Sequence, residues 1–294
     1  MNNSIFDLIG NTPLIETKTL VKNPKVKLLL KLEGQNPGGS VKDRAAYFMI
    51  KGAMERGEIT EKTKIIEATS GNTGIALAMI AGIFNLDIEL VMPENSTIER
   101  VQTMRAFGAK VTLTSADGGI EGARDYSEEK VRNGDYFMIN QFSNNDNWKA
   151  HYNTTGPEIW RDTNREITHF VSSMGTTGTI MGTSTFLKEQ NEKIQIVGVQ
   201  PADDAKIPGI RKWQKEYLPK IFNPAKIDKI IEVNEEEAIQ MTRYLAEREG
   251  VFAGMSSGGA TSAAVRLCEE LEKGIVVSVV CDRGDRYLSS ELFK

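Results

Sequence analysis

The strongest constraint on this chain is an alternation of two sequence periods. Short apolar runs rich in β-branched residues occur at residues 26–32, 64–68, 87–92, 110–114, 136–140, 168–173, 194–200, 229–233 and 274–280. Helical patterns fill most of the intervals, at 41–55, 73–84, 96–107, 120–132, 148–161, 235–249 and 258–271. Strands separated by helix-length crossovers pair in parallel, so the pattern predicts an α/β fold of mostly parallel, twisted sheets covered by helices. The run at 274–280 is apolar at successive positions, as a strand buried on both faces requires. The number of strands, with a polar break at 141–147, predicts two sheets rather than one. Residues 201–228 hold four prolines and little periodicity. They read as an irregular excursion, the kind of segment that often forms a binding surface.

Composition narrows the class. The 294 residues suffice for one large domain or two of ordinary size. A 40% hydrophobic and 26% charged content describes an ordinary soluble globular protein. The net charge of −4, with no basic run, argues against nucleic acid as a partner. The start Met1-Asn2-Asn3-Ser4-Ile5 lacks a basic region followed by an apolar one, and no apolar stretch is long enough to cross a membrane. Two cysteines, Cys268 and Cys281, and two histidines, His151 and His169, show no metal-ligand spacing. The expectation is a cytoplasmic protein with no metal and no disulfide framework. Cys268 reads as a small core residue in a helix; Cys281 directly follows the strand at 274–280, and its role stays open.

Four motifs carry chemistry. In the first, Gly38-Gly39-Ser40-Val41-Lys42-Asp43-Arg44, a loop delivers Lys42 to the first turn of a helix, where Ser40 can cap open N–H groups. The positive helix end and nearby Arg44 should lower the lysine pKa and favour the neutral amine that carbonyl chemistry needs. A solvated lysine is the ordinary alternative. The second motif, Glu67-Ala68-Thr69-Ser70-Gly71-Asn72-Thr73-Gly74, leads from a strand into an apolar helix and suits a small carboxylate. A plain glycine-rich cap would look similar. The third, Ser172-Ser173-Met174-Gly175-Thr176-Thr177-Gly178-Thr179, gathers backbone and hydroxyl donors at a strand-to-helix turn, as a phosphate dianion requires. It contains neither the GK[ST] of a nucleotide-binding P-loop nor GxGxxG, so it points to a phosphorylated cofactor rather than a nucleotide. The fourth, Gly254-Met255-Ser256-Ser257-Gly258-Gly259, reads alone as a serine cap before a helix beginning near Gly258.

The order and spacing of these four motifs resemble the cysteine synthase branch of the fold-type II pyridoxal-phosphate enzymes, over nearly the whole chain. The stretches Gly175-Thr176-Thr177-Gly178-Thr179, Lys206-Ile207-Pro208-Gly209-Ile210-Arg211 and Cys281-Asp282-Arg283-Gly284-Asp285-Arg286-Tyr287-Leu288-Ser289 resemble its B subgroup, the O-acetylserine sulfhydrylases B. The resemblance implies a tryptophan synthase β-like fold, with a smaller movable domain at 36–144 and a larger cofactor-holding domain at 1–35 and 145–294. It implies a homodimer engaged in amino-acid biosynthesis. Lys42 would hold pyridoxal 5′-phosphate as a Schiff base and act as general base. Asn72 would bond the ring hydroxyl, Gly175, Thr176, Thr177, Gly178 and Thr179 would hold the phosphate, and Ser256 would face the pyridine nitrogen. A serine there, in place of an aspartate, suits a neutral ring and rapid loss of a β leaving group.

Under the same resemblance Thr69, Ser70, Asn72, Thr73 and Gln141 would bind the carboxylate of O-acetyl-L-serine. Acetate would leave through an α-aminoacrylate, and sulfide or thiosulfate would add to give L-cysteine or S-sulfocysteine. Arg211 could bind the anionic donor, with Arg283 and Arg286 as weaker candidates. The main rival readings are β-replacement with homocysteine, as in cystathionine β-synthase, and a non-catalytic regulatory protein on the same scaffold, which the intact Lys42 and phosphate loop disfavour; a serine or threonine dehydratase and a nucleotide-binding Rossmann protein are weaker ones.

Overall fold

A computed structural model describes residues 4–69, 71–134 and 136–294. Among these the order is β1 (Leu14–Glu16), β2 (Val26–Leu32), α1 (Lys42–Glu55), β3 (Ile65–Ala68), α2 (Asn72–Ile83), β4 (Ile88–Pro93), α3 (Ile98–Ala106), β5 (Lys110–Thr114), α4 (Gly119–Arg132) and β6 (Phe137–Met138). It continues through α5 (Asn145–Asn153), α6 (Thr155–Asp162), β7 (His169–Ser173), α7 (Gly178–Gln190), β8 (Gln195–Pro201), β9 (Lys229–Val233), α8 (Glu235–Glu249), α9 (Met255–Glu270) and β10 (Gly274–Val280).

The strands form two sheets, ordered β1-β2-β10-β7-β8-β9 and β5-β4-β3-β6. Every pairing is parallel except that of β1 with β2, an edge strand too short to read from its sequence. In the larger sheet β10 lies between β2 and β7, with Val276 opposite both Leu28 and His169. Its residues Val276 to Val280 are buried, which is why the run is apolar at successive positions rather than at alternate ones. Helix α2 is apolar on every side for the same reason: Thr73 to Ala81 are all buried, packed with α1, β3 and β4 residues in one core.

Two boundaries differ from the sequence expectation. The pattern at 148–161 is two helices, α5 and α6, broken at Thr154 (φ −128°). Pro157 cannot donate to the carbonyl four residues back, so one continuous helix would lose a bond there. The chain instead turns, with Thr154 Oγ1 donating to the Ala150 carbonyl at 2.6 Å. The second difference is at the fourth motif. Helix α9 starts at Met255, capped by Gly254 without a side-chain bond, so Ser256, Ser257, Gly258 and Gly259 lie inside the helix rather than before it. Gly258 is required by close packing: a Cβ there would overlap Thr242 and the Ala238 carbonyl of α8. The polar segment at 141–147 does interrupt the fold, although its last residues begin α5. The excursion at 201–228 is irregular after β8, with two short 3₁₀ turns at Lys215–Tyr217 and Pro224–Lys226.

Candidate active site

The sheets turn their carboxyl ends toward one cleft, where strand-to-helix turns leave N–H groups unpaired and able to receive a ligand. A cavity of about 930 Å³ opens there, bordered by Lys42, Asn72, Thr73, Gln141, the 175–179 turn, Ser256, Cys281 and the excursion around Arg211.

Lys42 is the first residue of α1, and its N–H donates to Ser40 Oγ at 3.3 Å. The side chain is half-buried and, among the described residues, its Nζ has no hydrogen-bond or ion-pair partner. Arg44 plays no part beside it, contrary to the sequence expectation. Its guanidinium is buried and turned into a separate cluster, bound by Glu33 at 2.7 and 2.8 Å and by Glu158 at 2.6 and 2.8 Å.

Asp43, the neighbour between them, is fully buried. One carboxylate oxygen accepts from the Gly38 N–H; the other has no partner among the described residues. Burial pushes this carboxyl up to about 7, against the pull of the Gly38 N–H and the Arg286 charge. A raised pKa means the folded state keeps a proton that the unfolded chain loses, so stability falls as pH rises from the ordinary carboxylate range to about 7. Asp43→Asn keeps an acceptor for Gly38 and removes the ionisation. Its stability relative to the parent should therefore rise between pH 4 and pH 7, by on the order of 3–4 kcal/mol, and level off above. Urea unfolding across this range reads the effect; parallel pH profiles would contradict it.

The second motif bends sharply at Gly71 (φ +150°), where a Cβ would press on Arg100. Thr69 is buried and does not border the cavity; its Oγ1 accepts from Gly71 and Gly74 N–H at 3.2 and 3.0 Å. These bonds use the acceptor side of the hydroxyl to shape the turn and leave its O–H to donate. Ser70 lies outside the described residues. Asn72 borders the cavity with its amide already oriented. Its Nδ2 donates to Asp282 at 2.6 Å and its Oδ1 accepts from Arg286. One Nδ2–H remains for a ligand. Arg286 also binds the Gly38 carbonyl, and Arg283 pairs with Asp285 at the surface, so neither borders the cavity as a donor-binding arginine would. Arg211 does border it; its N–H donates to the Met174 carbonyl at 2.8 Å and its side chain is exposed. Trp213 fastens the same excursion by donating to the Gly175 carbonyl at 2.7 Å.

In the third motif Thr177 sits in the left-handed region (φ +71°) at the N-terminus of α7. Its Oγ1 is buried without a partner among the described residues. Gly178 stands back from the cavity, where a Cβ would overlap the Asn147 amide. Behind the turn, His151 is buried between Thr155 (Nδ1, 2.9 Å) and Thr179 (Nε2, 3.3 Å), and burial pushes its pKa down to about 3. It is a neutral ring joining α5 to the turn. Ser256 is buried in the first turn of α9, its carbonyl accepting from Ser173 Oγ at 2.8 Å. Burial pushes the adjacent Cys281 thiol up to about 11, with the Lys42 charge pulling the other way, so it stays a neutral wall.

Sequence reasoning missed Asn147, His151, Glu67, Asp282 and Arg286 as parts of the site, apart from the weak assignment of Arg286 to a donor. Each is an ordinary polar residue whose importance lies in a partner far along the chain.

Residues 5–282 match the family model "Pyridoxal-phosphate dependent enzyme". The chain is 53% identical over 290 residues to cysteine synthase B of Pseudomonas aeruginosa, covering 99% of this chain and 97% of that one. It is 51% identical over 291 residues to cysteine synthase B of Salmonella typhimurium, covering 99% and 96%. A crystal structure of the cysteine synthase of Entamoeba histolytica superimposes with a TM-score of 0.93 at 35% identity, covering 100% of this chain and 91% of that one. The chain belongs to the pyridoxal-phosphate dependent enzymes, in their cysteine synthase branch.

Proposed function

We propose that this enzyme replaces the acetate of O-acetyl-L-serine with sulfide or thiosulfate, giving L-cysteine or S-sulfocysteine. The observation that carries the reading is one cavity bordered by a lysine without a partner among the described residues, a threonine-rich turn at a helix N-terminus and the Asn72–Thr73 helix start. A phosphorylated pyridine aldehyde fits these residues. The buried Thr177 hydroxyl lacks a partner among the described residues, as a phosphate ligand requires. The Lys42 amine is available for a carbonyl, and a serine, not a carboxylate, stands at the start of α9. Bound there, the cofactor supplies an electron sink for the bond at the α-carbon.

The chain's residues do the rest. Gly175, Thr176, Thr177 and Thr179 would hold the phosphate, with the N-terminus of α7 adding its dipole, while Gly178, set back from the cavity, lets the turn close against Asn147. Asn72, fixed by Asp282 and Arg286, offers its remaining N–H to the ring hydroxyl, and Ser256 faces the ring nitrogen. Thr73, with Gln141 beside it, receives the substrate carboxylate at the N-terminus of α2; Ser70 belongs to the same reading. Lys42 Nζ takes the α-proton, keeps it while acetate departs, and returns it after sulfur has added. The unit at 36–144, which contains the smaller sheet, closes on the larger one to exclude water. A cytoplasmic homodimer is part of the proposal.

The donor rests on Arg211. A guanidinium bordering the cavity can bind thiosulfate through two parallel bonds, whereas hydrosulfide gains little from it. Arg211→Ala should raise the KM for thiosulfate roughly tenfold or more, with that for sulfide changing less than about threefold. The test is to mix the cofactor-loaded enzyme with O-acetylserine and each donor and to quantify L-cysteine and S-sulfocysteine by mass spectrometry. Equal losses with both donors would remove Arg211 from this role. Product from sulfide alone would exclude the thiosulfate activity. Product with neither donor, but with homocysteine, would favour the cystathionine-forming alternative.

A further inference from the structure

Beneath the carboxylate end of the cleft lies a buried acid that the chemistry above does not use. Glu67, on β3, is 2% exposed. Its two oxygens accept from consecutive backbone N–H groups, Oε2 from Asn140 at 2.8 Å and Oε1 from Gln141 at 3.1 Å. Asn140 is held in the left-handed region (φ +54°), a strained conformation that a bond to its N–H helps to secure. The turn thus fixed presents Gln141, and every polar group of Gln141 is engaged. Its carbonyl accepts from Asn147 at 2.7 Å, its Nε2 donates to the Ala68 carbonyl at 3.1 Å, and its Oε1 accepts from Thr73 Oγ1 at 2.8 Å. Asn147 reaches on to Thr176 of the phosphate turn at 3.2 Å. The charge of Arg124 of α4, whose guanidinium stacks over the Phe142 ring at 4.8 Å, acts on Glu67.

We infer that Glu67 is a positioning residue for the substrate carboxylate. By clamping the Asn140–Gln141 backbone it sets the Gln141 amide, and through that amide the rotamer of Thr73 at the start of α2. The inference rests on the proposed function, because it assigns Thr73 and Gln141 to the carboxylate of an amino-acid substrate. Two features separate the role from plain core packing. An apolar side chain of similar size would fill the same space, yet an ionisable acid occupies it. Both oxygens also bond to the cavity-lining turn rather than to the surrounding sheet. The clamp is bidentate, so a neutral amide cannot reproduce it: one of the two N–H groups would face an NH₂.

The test uses cofactor-loaded Glu67→Gln and Glu67→Asp. The first keeps the shape and loses one acceptor; the second keeps the carboxyl group but draws it back by one methylene. Expected for both is a rise of about tenfold or more in KM for O-acetylserine, with kcat within about threefold and cofactor affinity unchanged. L-Alanine and L-alaninamide, followed by the visible absorbance of the cofactor, give a readout that general loosening would not reproduce. Apparent affinity should fall about tenfold for L-alanine and stay level for the amide, which lacks the carboxylate. Equal losses for both probes, or weakened cofactor binding, would make Glu67 structural and overturn the assignment. So would an unchanged KM in a variant that folds. If Glu67→Gln does not fold, Glu67→Asp decides alone, and failure of both to fold would also count as a structural role. A parent enzyme that ignores O-acetylserine would refute the proposed function itself, a result visible before any variant is made.

Discussion

Lys42→Ala is expected to lose essentially all turnover while folding normally. Removing the proton transfer alone costs roughly 10²–10⁴-fold, and losing the covalent anchor for the cofactor adds to that. The structure gives the prediction a second edge. Lys42 opens α1, where a positive charge opposes the helix dipole, and its Nζ has no compensating partner among the described residues. Alanine removes that charge and is the better helix former, so the cofactor-free variant should be as stable as the parent or more so, by about 0.3–1 kcal/mol. Loaded with cofactor, it should lack the parent's lysine-bound absorbance and should release the cofactor on dialysis. Thermal melting, visible spectra and turnover on one preparation check all three. A stable variant with parental turnover would remove Lys42 from the chemistry. A variant that fails to fold would give the lysine a structural role instead.

How much of this was legible in the sequence depends on the distance over which each residue acts. The doubly buried β10 and the all-apolar α2 announce their place in the layers, because burial on every side leaves no room for a polar period. Gly71 and Thr177 sit in short turns and Lys42 at a helix start, where the chemistry is local, so the motifs were readable as motifs. The orientation of Asn72 was not. It is set by Asp282 and Arg286, more than 200 residues later, and nothing in the Thr-Ser-Gly-Asn-Thr-Gly run indicates that its amide is already engaged. Thr69 has a second duty that the run does not announce: its oxygen accepts from Gly71 and Gly74 and so shapes the turn. Arg44 shows the same weakness more sharply. Two residues from Lys42 in sequence, it serves a different purpose.

That purpose leads to the largest effect expected on stability. Arg44 lies at the centre of a buried cluster with Glu33, Glu158, Lys31 and Thr12. Two carboxylates each grip its guanidinium with two bonds, and Lys31 Nζ binds Glu158 at 2.8 Å and the Thr12 carbonyl at 2.7 Å. Burial pushes Glu158 up, but Arg44 and Lys31 outweigh it and hold the carboxyl at about 2. Arg44→Met would fill the space and leave the two acids facing Lys31 alone. Removing one partner of a buried ion pair costs about 3–5 kcal/mol, because the charge left behind has neither water nor counter-ion. For a chain of this size that amounts to a fall in Tm on the order of 10 °C. The pH dependence identifies the cause. A depressed carboxyl contributes stability above its unfolded pKa and loses it as pH falls through the folded value, so the parent should weaken from about pH 4.5 down toward 2. In Arg44→Met that acid slope should flatten, since Glu158 has lost its main partner. Combining Arg44→Met with Glu158→Gln should cost less than the sum of the two single changes, the signature of a direct pair. The cluster also ties α1 to α6 and to the turn at Glu33, so Lys42 should lose its fixed position and kcat should fall with stability. A variant that melts within a degree of the parent, with the same acid slope, would show the cluster to be balanced by its own desolvation.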